Sequence, residues 1–102
     1  MAEREVVEIL KKYVLLLRSE GITVEKAFLY GSHLSNTANE DSDIDVMIVA
    51  DHEDDDLAGQ IWALTQRVNS RIEPYLVGKG RFYNNLHSPL IDLVKRTGLE
   101  IA

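Results

Sequence analysis

The stretch that decides the fold runs from Leu29 to Val49 and reads LYGSHLSNTANEDSDIDVMIV. Both of its ends are apolar and have the character of strands, and a mainly polar segment of ten residues (33–42) lies between them. Gly31-Ser32 ends the first strand, and Asp43 begins the second. Because side chains alternate between the faces of a strand, Asp43 and Asp45 share one face and lie about 6.6 Å apart along it.

Two acids on one strand face call for a chemical reason, because Asp is disfavoured in strands. Unpaired carboxylates at this spacing repel each other and lose hydration. A solvent-exposed pair is the simple alternative. A divalent cation would neutralise the charges, and carboxylate oxygens suit Mg²⁺ or Mn²⁺. We therefore predict that Asp43 and Asp45 bind one or two metal ions.

The Gly31-Ser32 pair has the properties of a phosphate-binding turn. Gly lets the backbone approach a ligand closely, and Ser favours the start of a helix, where free N–H groups attract phosphate. A plain tight turn after Tyr30 is the alternative. Together with the acids downstream, the turn predicts a site for a metal-bound nucleoside triphosphate.

These residues resemble the signature of the DNA polymerase β-like nucleotidyltransferases, in particular the minimal nucleotidyltransferases of bacteria and archaea. The resemblance rests on Gly31-Ser32, the ten-residue gap and Asp43-x-Asp45. It continues through Arg71-Ile72-Glu73-Pro74 and Gly98-Leu99-Glu100-Ile101, so that it covers most of the chain. It implies an α/β (α+β) domain with the nucleotidyltransferase fold.

The resemblance also implies a third carboxylate. The family places an acid, more often Asp than Glu, on the next core strand, where Glu73 stands here. Its implied role is to hold the second metal ion and to help deprotonate the attacking hydroxyl. The alternative is an exposed strand Glu paired with Arg71 or Lys79. Many relatives carry Arg directly after Gly-Ser; His33 replaces it here, and it can bind phosphate but carries little charge at neutral pH.

The activity that the resemblance implies is transfer of a nucleoside monophosphate, in the first instance AMP from ATP, to a hydroxyl acceptor with release of pyrophosphate. Minimal nucleotidyltransferases often accompany a small all-helical HEPN-type protein as toxin–antitoxin pairs, and they can adenylylate a Tyr of that partner. A single domain needs such a partner to supply the acceptor, and a homo-oligomer is left open. The alternative function is a non-catalytic antitoxin that masks its helical partner by binding alone.

Length and composition limit the other classes of function. A chain of 102 residues predicts one domain spanning residues 1–102, and an apolar content of 45% is enough for an ordinary core. The absence of Cys excludes disulfides and thiolate metal sites. A net charge of −6 argues against nucleic acid as the main partner. With neither a signal peptide nor a membrane span in the sequence, we expect a cytoplasmic protein.

Periodicity and turn residues predict a small three-stranded mixed sheet packed with about four helices. The first two strands are linked too briefly for a parallel crossover and should be antiparallel. The predicted elements are a helix at Glu3–Glu20, a strand at Val24–Tyr30, a helical turn at His33–Ala38, a strand at Asp43–Val49, a helix after the acidic run Asp51–Asp56, a strand at Arg71–Val77, and a last helix capped by Ser88.

Three expectations concern the C-terminal part of the chain. Pro74 has no N–H group, which predicts that its strand lies at an edge of the sheet. Residues Gly78–His87 are predicted to form a loop, with its Lys79–Tyr83 part near the acceptor side. The last helix is predicted to turn Leu90, Leu93 and Val94 towards the core.

Overall fold

One mixed sheet organises the chain. The computed structural model describes residues 4–31, 33, 42–84 and 88–102. In these residues the sheet has four strands, one more than predicted, and is flanked by four helices. The elements in chain order are α1 (Arg4–Ser19), β1 (Val24–Tyr30), β2 (Ile44–Ala50), α2 (Asp55–Thr65), β3 (Ile72–Gly78), α3 (Lys79–Asn84), α4 (Pro89–Thr97) and β4 (Leu99–Glu100).

The strand order in the sheet is β3-β2-β1-β4. Strand β1 is antiparallel to β2, as the short connection predicts, whereas β2 and β3 are parallel and are joined through α2. Strand β3 lies at an edge of the sheet, which confirms the expectation from Pro74. The two-residue strand β4 pairs with Phe28 and Leu29 of β1 and was too short to be detected from periodicity.

The two faces of the sheet carry separate cores. We call the face of Ile44, Val46 and Ile48 the back face and the face of Met47 and Val49 the front face, and the alternation predicted for β2 is confirmed. Helices α1 and α2 cover the back face, and Tyr13 joins them by donating its hydroxyl proton to the Ile61 carbonyl at 2.6 Å. The other buried residues of the back face are Val6, Leu10, Val14, Leu17, Ile22, Val24, Ala27, Leu29 and Ile72.

Helices α3 and α4 cover part of the front face. Phe82 of α3 stacks on Phe28 of β1 with ring centroids 5.5 Å apart, and Ile91 and Val94 of α4 pack into the same cluster. Beyond this cluster the front face opens, and Glu73 and Tyr75 of β3 are exposed. The open part of the front face is where the predicted acids lie.

Local signals set the ends of the helices as the sequence predicts. Gly21 adopts φ +86° after α1, and the Ile22 N–H donates to the Leu17 carbonyl at 3.0 Å, which closes the last turn. Asp54 caps α2 by accepting a hydrogen bond from the Leu57 N–H at 2.7 Å. Ser88 caps α4, with Pro in the first turn. Of the helices in the described ranges, none has the length and apolar character needed to cross a bilayer.

Two predictions for the C-terminal part were wrong. Residues 79–84 form α3 rather than a loop, because Phe82 supplies a buried contact that holds a short helix against β1. Leu93 is 45% exposed, and Ile91 with Val94 forms the buried stripe instead. Ile91 and Val94 are three residues apart and therefore lie on the same face of α4, whereas Leu93 lies outside that face.

Some predictions fall on residues outside the described ranges. These are Ser32 and, apart from His33, the helical turn predicted at His33–Ala38. The end of the loop predicted at Gly78–His87 also lies outside them.

Candidate active site

The register of three strands brings the predicted acids onto one face. Asp45 of β2 is the partner of Tyr30 on the antiparallel side and of Glu73 on the parallel side. The three residues therefore form a row across β1, β2 and β3 on the open part of the front face. Asp43 precedes Asp45 by two residues at the entry to β2. Strand alternation predicted the shared face of Asp43 and Asp45, and the resemblance predicted Glu73 as the third carboxylate. The register of β2 and β3 puts Glu73 beside Asp45, and its catalytic role stays a prediction.

The three carboxylates repel one another. Burial raises the pKa of half-buried Asp45, and the charge of Asp43 raises it further, against a smaller lowering by His33. A side-chain hydrogen bond with Asp43 raises the pKa of Glu73 most, followed by burial and by the charges of Asp43 and Asp45. Asp43 therefore disfavours the ionised forms of both Asp45 and Glu73.

Gly31 lets the end of β1 reach the Asp45 carboxylate. Its φ is +83°, a conformation that side-chain-bearing residues rarely adopt. A Cβ atom added at Gly31 would overlap Asp45 Oδ2 and would lie 3.2 Å from Asp45 Cγ. The group that comes close to this glycine is the acid of the neighbouring strand. The predicted approach of a phosphate stays a prediction.

His33 is buried rather than presented to a ligand. It is 3% exposed, and its Nε2 lies 3.1 Å from the carbonyl oxygen of Ser42. A carbonyl only accepts, so Nε2 donates, and this nitrogen is not available to a phosphate. That His33 binds phosphate in place of the Arg of relatives stays a prediction, and in this geometry Nε2 would not make the contact.

Tyr30 is a residue of the site that the sequence reasoning missed. Its side chain is half-buried beside Asp45, and burial followed by the charges of Asp45, Tyr75 and Glu73 raises its pKa to about 12. The phenol therefore keeps its proton at neutral pH and can donate a hydrogen bond. The available signal was its place as the last strand residue before Gly31, on the same face as the acids.

The two cations of α3 both pair with acids that follow β2, and Arg81 also contacts Tyr75 on the front face. Lys79 Nζ lies 2.8 Å from Asp51 Oδ1, and Asp51 directly follows β2 at the end of the strand opposite to Asp45. Arg81 Nη2 donates to the Tyr75 hydroxyl at 2.9 Å, and Tyr75 shares the front face with Glu73. Arg81 Nε also pairs with Glu53 Oε1 at 3.3 Å. The placement of the Lys79–Tyr83 segment near the acceptor stays a prediction.

The donor set suits Mg²⁺ or Mn²⁺ in kind, because it consists of carboxylate oxygens. Among the residues that the structure describes, no group of three or more His, Asp or Glu side chains is arranged to hold a metal ion unaided. Mg²⁺ commonly takes one or two carboxylates and completes its shell with water and substrate phosphates. Asp43 and Asp45 fit that mode, in which the nucleotide supplies the remaining ligands.

Comparisons with known proteins agree on family and fold. The family model described as a nucleotidyltransferase domain matches residues 4–101. The structure is similar to that of a proposed nucleotidyltransferase from Sulfolobus solfataricus, with a TM-score of 0.62, 12% identity and coverage of 94% of this chain and 78% of the other. It is also similar to a crystal structure of a toxin–antitoxin with AMP-PNP, with a TM-score of 0.65, 22% identity and coverage of 90% and 72%. At these identities the structures show the fold alone, and that fold is the predicted one. No protein of curated function matches the sequence significantly.

Proposed function

This chain belongs to the family of nucleotidyltransferase domains, and from that premise we propose a specific reaction. The hydroxyl oxygen of an acceptor attacks the α-phosphorus of a nucleoside triphosphate, the bond to the β-phosphate breaks, and pyrophosphate leaves. The observation that carries the proposal is the convergence of Asp43, Asp45 and Glu73 on the open front face beside Gly31.

Asp43 and Asp45 would hold Mg²⁺ or Mn²⁺, with Glu73 as the third carboxylate. The metal, when bound, neutralises charge on the phosphate oxygens. The raised pKa values of Asp45 and Glu73 support this assignment, because the acids gain more from a bound cation than separate carboxylates would.

Glu73 is the candidate for taking the acceptor proton. Its carboxylate is exposed, so an acceptor can reach it, and its raised pKa makes it a better base than an ordinary Glu. Tyr30 keeps its proton and can donate a hydrogen bond to a substrate oxygen at the end of the row. Gly31 and Ser32 would contact the triphosphate through their backbone and hydroxyl groups.

We further propose ATP as the substrate and a protein as the acceptor. The similarity to a toxin–antitoxin structure with AMP-PNP supports both, as does the resemblance to minimal nucleotidyltransferases. The acceptor would be a Tyr of a HEPN-type helical partner, with this chain as the antitoxin. The cytoplasmic location stays a prediction, as does a main partner other than nucleic acid, and a homo-oligomer is left open.

The experiment is an incubation with α-³²P-labelled nucleoside triphosphates, Mg²⁺ or Mn²⁺, and the small helical proteins encoded beside the gene for this chain. We expect label on one partner with the wild type and with Asp51→Asn, whose acid lies at the far end of β2. Asp45→Asn should lose about 10²–10³-fold in rate. A partner that binds the wild type but stays unlabelled under all conditions would establish the non-catalytic antitoxin instead, and label transfer by Asp45→Asn at the wild-type rate would refute the assignment of Asp45.

A further inference from the structure

The backbone around Asp43 is held on both sides. Asp43 precedes β2, so the strand ladder does not fix it. The carbonyl before it, that of Ser42, accepts a hydrogen bond from His33 Nε2 at 3.1 Å. The N–H after it, that of Ile44, donates to the Arg71 carbonyl at 2.8 Å. The first hydrogen bond comes from His33, two residues after Gly31, and the second from the residue before β3.

The burial of His33 costs free energy that only a specific role explains. The side chain is 3% exposed, and within the described residues its Nδ1 is buried without a hydrogen-bond partner. Because a carbonyl only accepts, Nε2 carries the proton of the hydrogen bond to Ser42. An unsatisfied buried polar atom is unfavourable, and a hydrophobic residue would avoid that loss. The hydrogen bond to Ser42 is what a hydrophobic residue could not provide.

We propose that His33 is a positioning residue for nucleotidyl transfer, which sets the direction of the Asp43 carboxylate by holding the Ser42 carbonyl. The inference rests on the proposed function, in which Asp43 binds the metal. His33 lies two residues after Gly31, so its hydrogen bond to Ser42 fixes the distance between the Gly31 end of β1 and the metal-binding Asp43. It acts through Asp43 and does not contact the nucleotide.

Two substitutions separate the hydrogen bond from the ring. His33→Gln keeps an N–H donor at about the reach of Nε2, whereas His33→Asn keeps one only at the reach of Nδ1. Both remove the imidazole and leave a neutral amide, so they share the cost of lost packing. The probe is Mn²⁺ with α,β-methylene-ATP, which cannot be cleaved at the bond in question. Binding to the intact chain is measured by calorimetry and by the Mn²⁺ EPR signal.

We expect His33→Asn to weaken Mn²⁺–nucleotide binding about tenfold, the worth of one hydrogen bond, and His33→Gln to stay within about threefold of the wild type. Both variants should be fully folded at the assay temperature, and the lost hydrogen bond should lower the melting temperature of His33→Asn only modestly. Equal binding of Mn²⁺–nucleotide by the two folded variants would overturn the proposal. Asp45→Asn is included as a test of the site itself. If the wild type binds the Mn²⁺–nucleotide and Asp45→Asn does not, the proposed site is supported independently of His33.

A second readout does not need a ligand. Hydrogen exchange of the Ile44 amide should be faster in His33→Asn and close to that of the wild type in His33→Gln, because the segment around Asp43 loosens only when the Ser42 carbonyl is released. If the wild type binds no Mn²⁺–nucleotide, the proposed function fails, and this exchange rate still decides whether His33 holds the segment. If neither variant folds, ¹⁵N shifts of wild-type His33 decide it: a protonated Nε2 with a bare Nδ1 supports the hydrogen bond, and the reverse tautomer overturns it.

Discussion

The carboxylate of Asp45 fills the space in which a side chain at Gly31 would begin. A Cβ atom there would overlap Asp45 Oδ2 and lie 3.2 Å from Cγ. The end of β1 and the acid of β2 are therefore in contact only because residue 31 has no side chain. This contact gives a way to disturb the site without touching its acids.

Gly31→Ala should displace the Asp45 carboxylate and lower nucleotidyl transfer by about 100-fold, the usual effect of misplacing a catalytic group by about 1 Å. Gly21→Ala is the matched control, since Gly21 has the same kind of φ, +86°, with nothing within 4 Å of an added Cβ. Both substitutions should cost about 1–2 kcal/mol of stability from the backbone conformation. Thermal melts and transfer rates of the pair test this, and equal rates in the two variants would show that the contact with Asp45 is irrelevant.

Asp45→Asn should leave the stability of the ligand-free protein unchanged or raise it modestly, because it removes one charge from a repelling group. With Mg²⁺ and ATP at about 100 times the dissociation constant, the wild type should gain about 2.7 kcal/mol, and the variant less. Thermal melts with and without Mg²⁺–ATP measure both effects. A ligand-free variant that melts lower than the wild type, with an unchanged ligand shift, would assign Asp45 a structural role instead.

The pH dependence of stability should follow from the raised pKa of Asp45. The ordinary pKa is 3.8 and the folded-state value is higher, so the folded protein binds this proton more tightly than the unfolded chain. The unfavourable contribution of Asp45 is therefore largest at neutral pH and disappears as the pH falls through the raised pKa towards 3.8. Melting curves of the wild type and Asp45→Asn between about pH 7 and pH 4 should converge at the acid end.

Stabilisation by Mg²⁺–ATP should have the opposite pH dependence. Glu73 also has a pKa above its ordinary 4.5, so acidification protonates both acids and removes their attraction for a cation. The ligand-induced shift in melting temperature should shrink as the pH falls. A shift that stays constant over this range would mean that neither acid binds the metal.

Arg81→Ala should raise the KM for nucleotide or acceptor by about two- to tenfold, because it removes the hydrogen bond that orients Tyr75 on the front face near Glu73. Lys79→Ala is the matched comparison in the same helix. Each cation pairs with an acid that follows β2, Lys79 with Asp51 and Arg81 with Glu53, and Arg81 has the additional contact with Tyr75. The KM values of Arg81→Ala and Lys79→Ala from steady-state kinetics test this prediction. A larger effect from Lys79 than from Arg81 would contradict the placement of the two side chains.

Local pattern was sufficient for the centre of the fold. The alternation in β2 assigned Asp43 and Asp45 to one face and Ile44 to the other, and the ten-residue link required antiparallel strands. Pro74 alone predicted that β3 lies at an edge, because Pro has no N–H group to donate to a second neighbouring strand. In each case the determining interaction lies within one element or between neighbours in the chain.

Non-local contacts account for what the sequence did not reveal. The pairing of Asp45 with Tyr30 and Glu73 depends on the register between strands, which no segment specifies by itself. The burial of His33 depends on a carbonyl nine residues away, and the helical state of residues 79–84 depends on Phe82 meeting Phe28. Strand β4 exists because Leu99 and Glu100 find an open edge on β1.

The mixed sheet also implies an order of folding. Pairing of β1 with β2 closes a short loop and brings Gly31 to Asp45, whereas Glu73 arrives only after the longer crossover through α2. Short loops close at lower entropic cost, so we expect the first half of the site to form earlier. The strand that docks later carries a negative charge towards two that are already in place. Repulsion should therefore slow the docking of β3 more than any earlier step, and a bound cation should speed it.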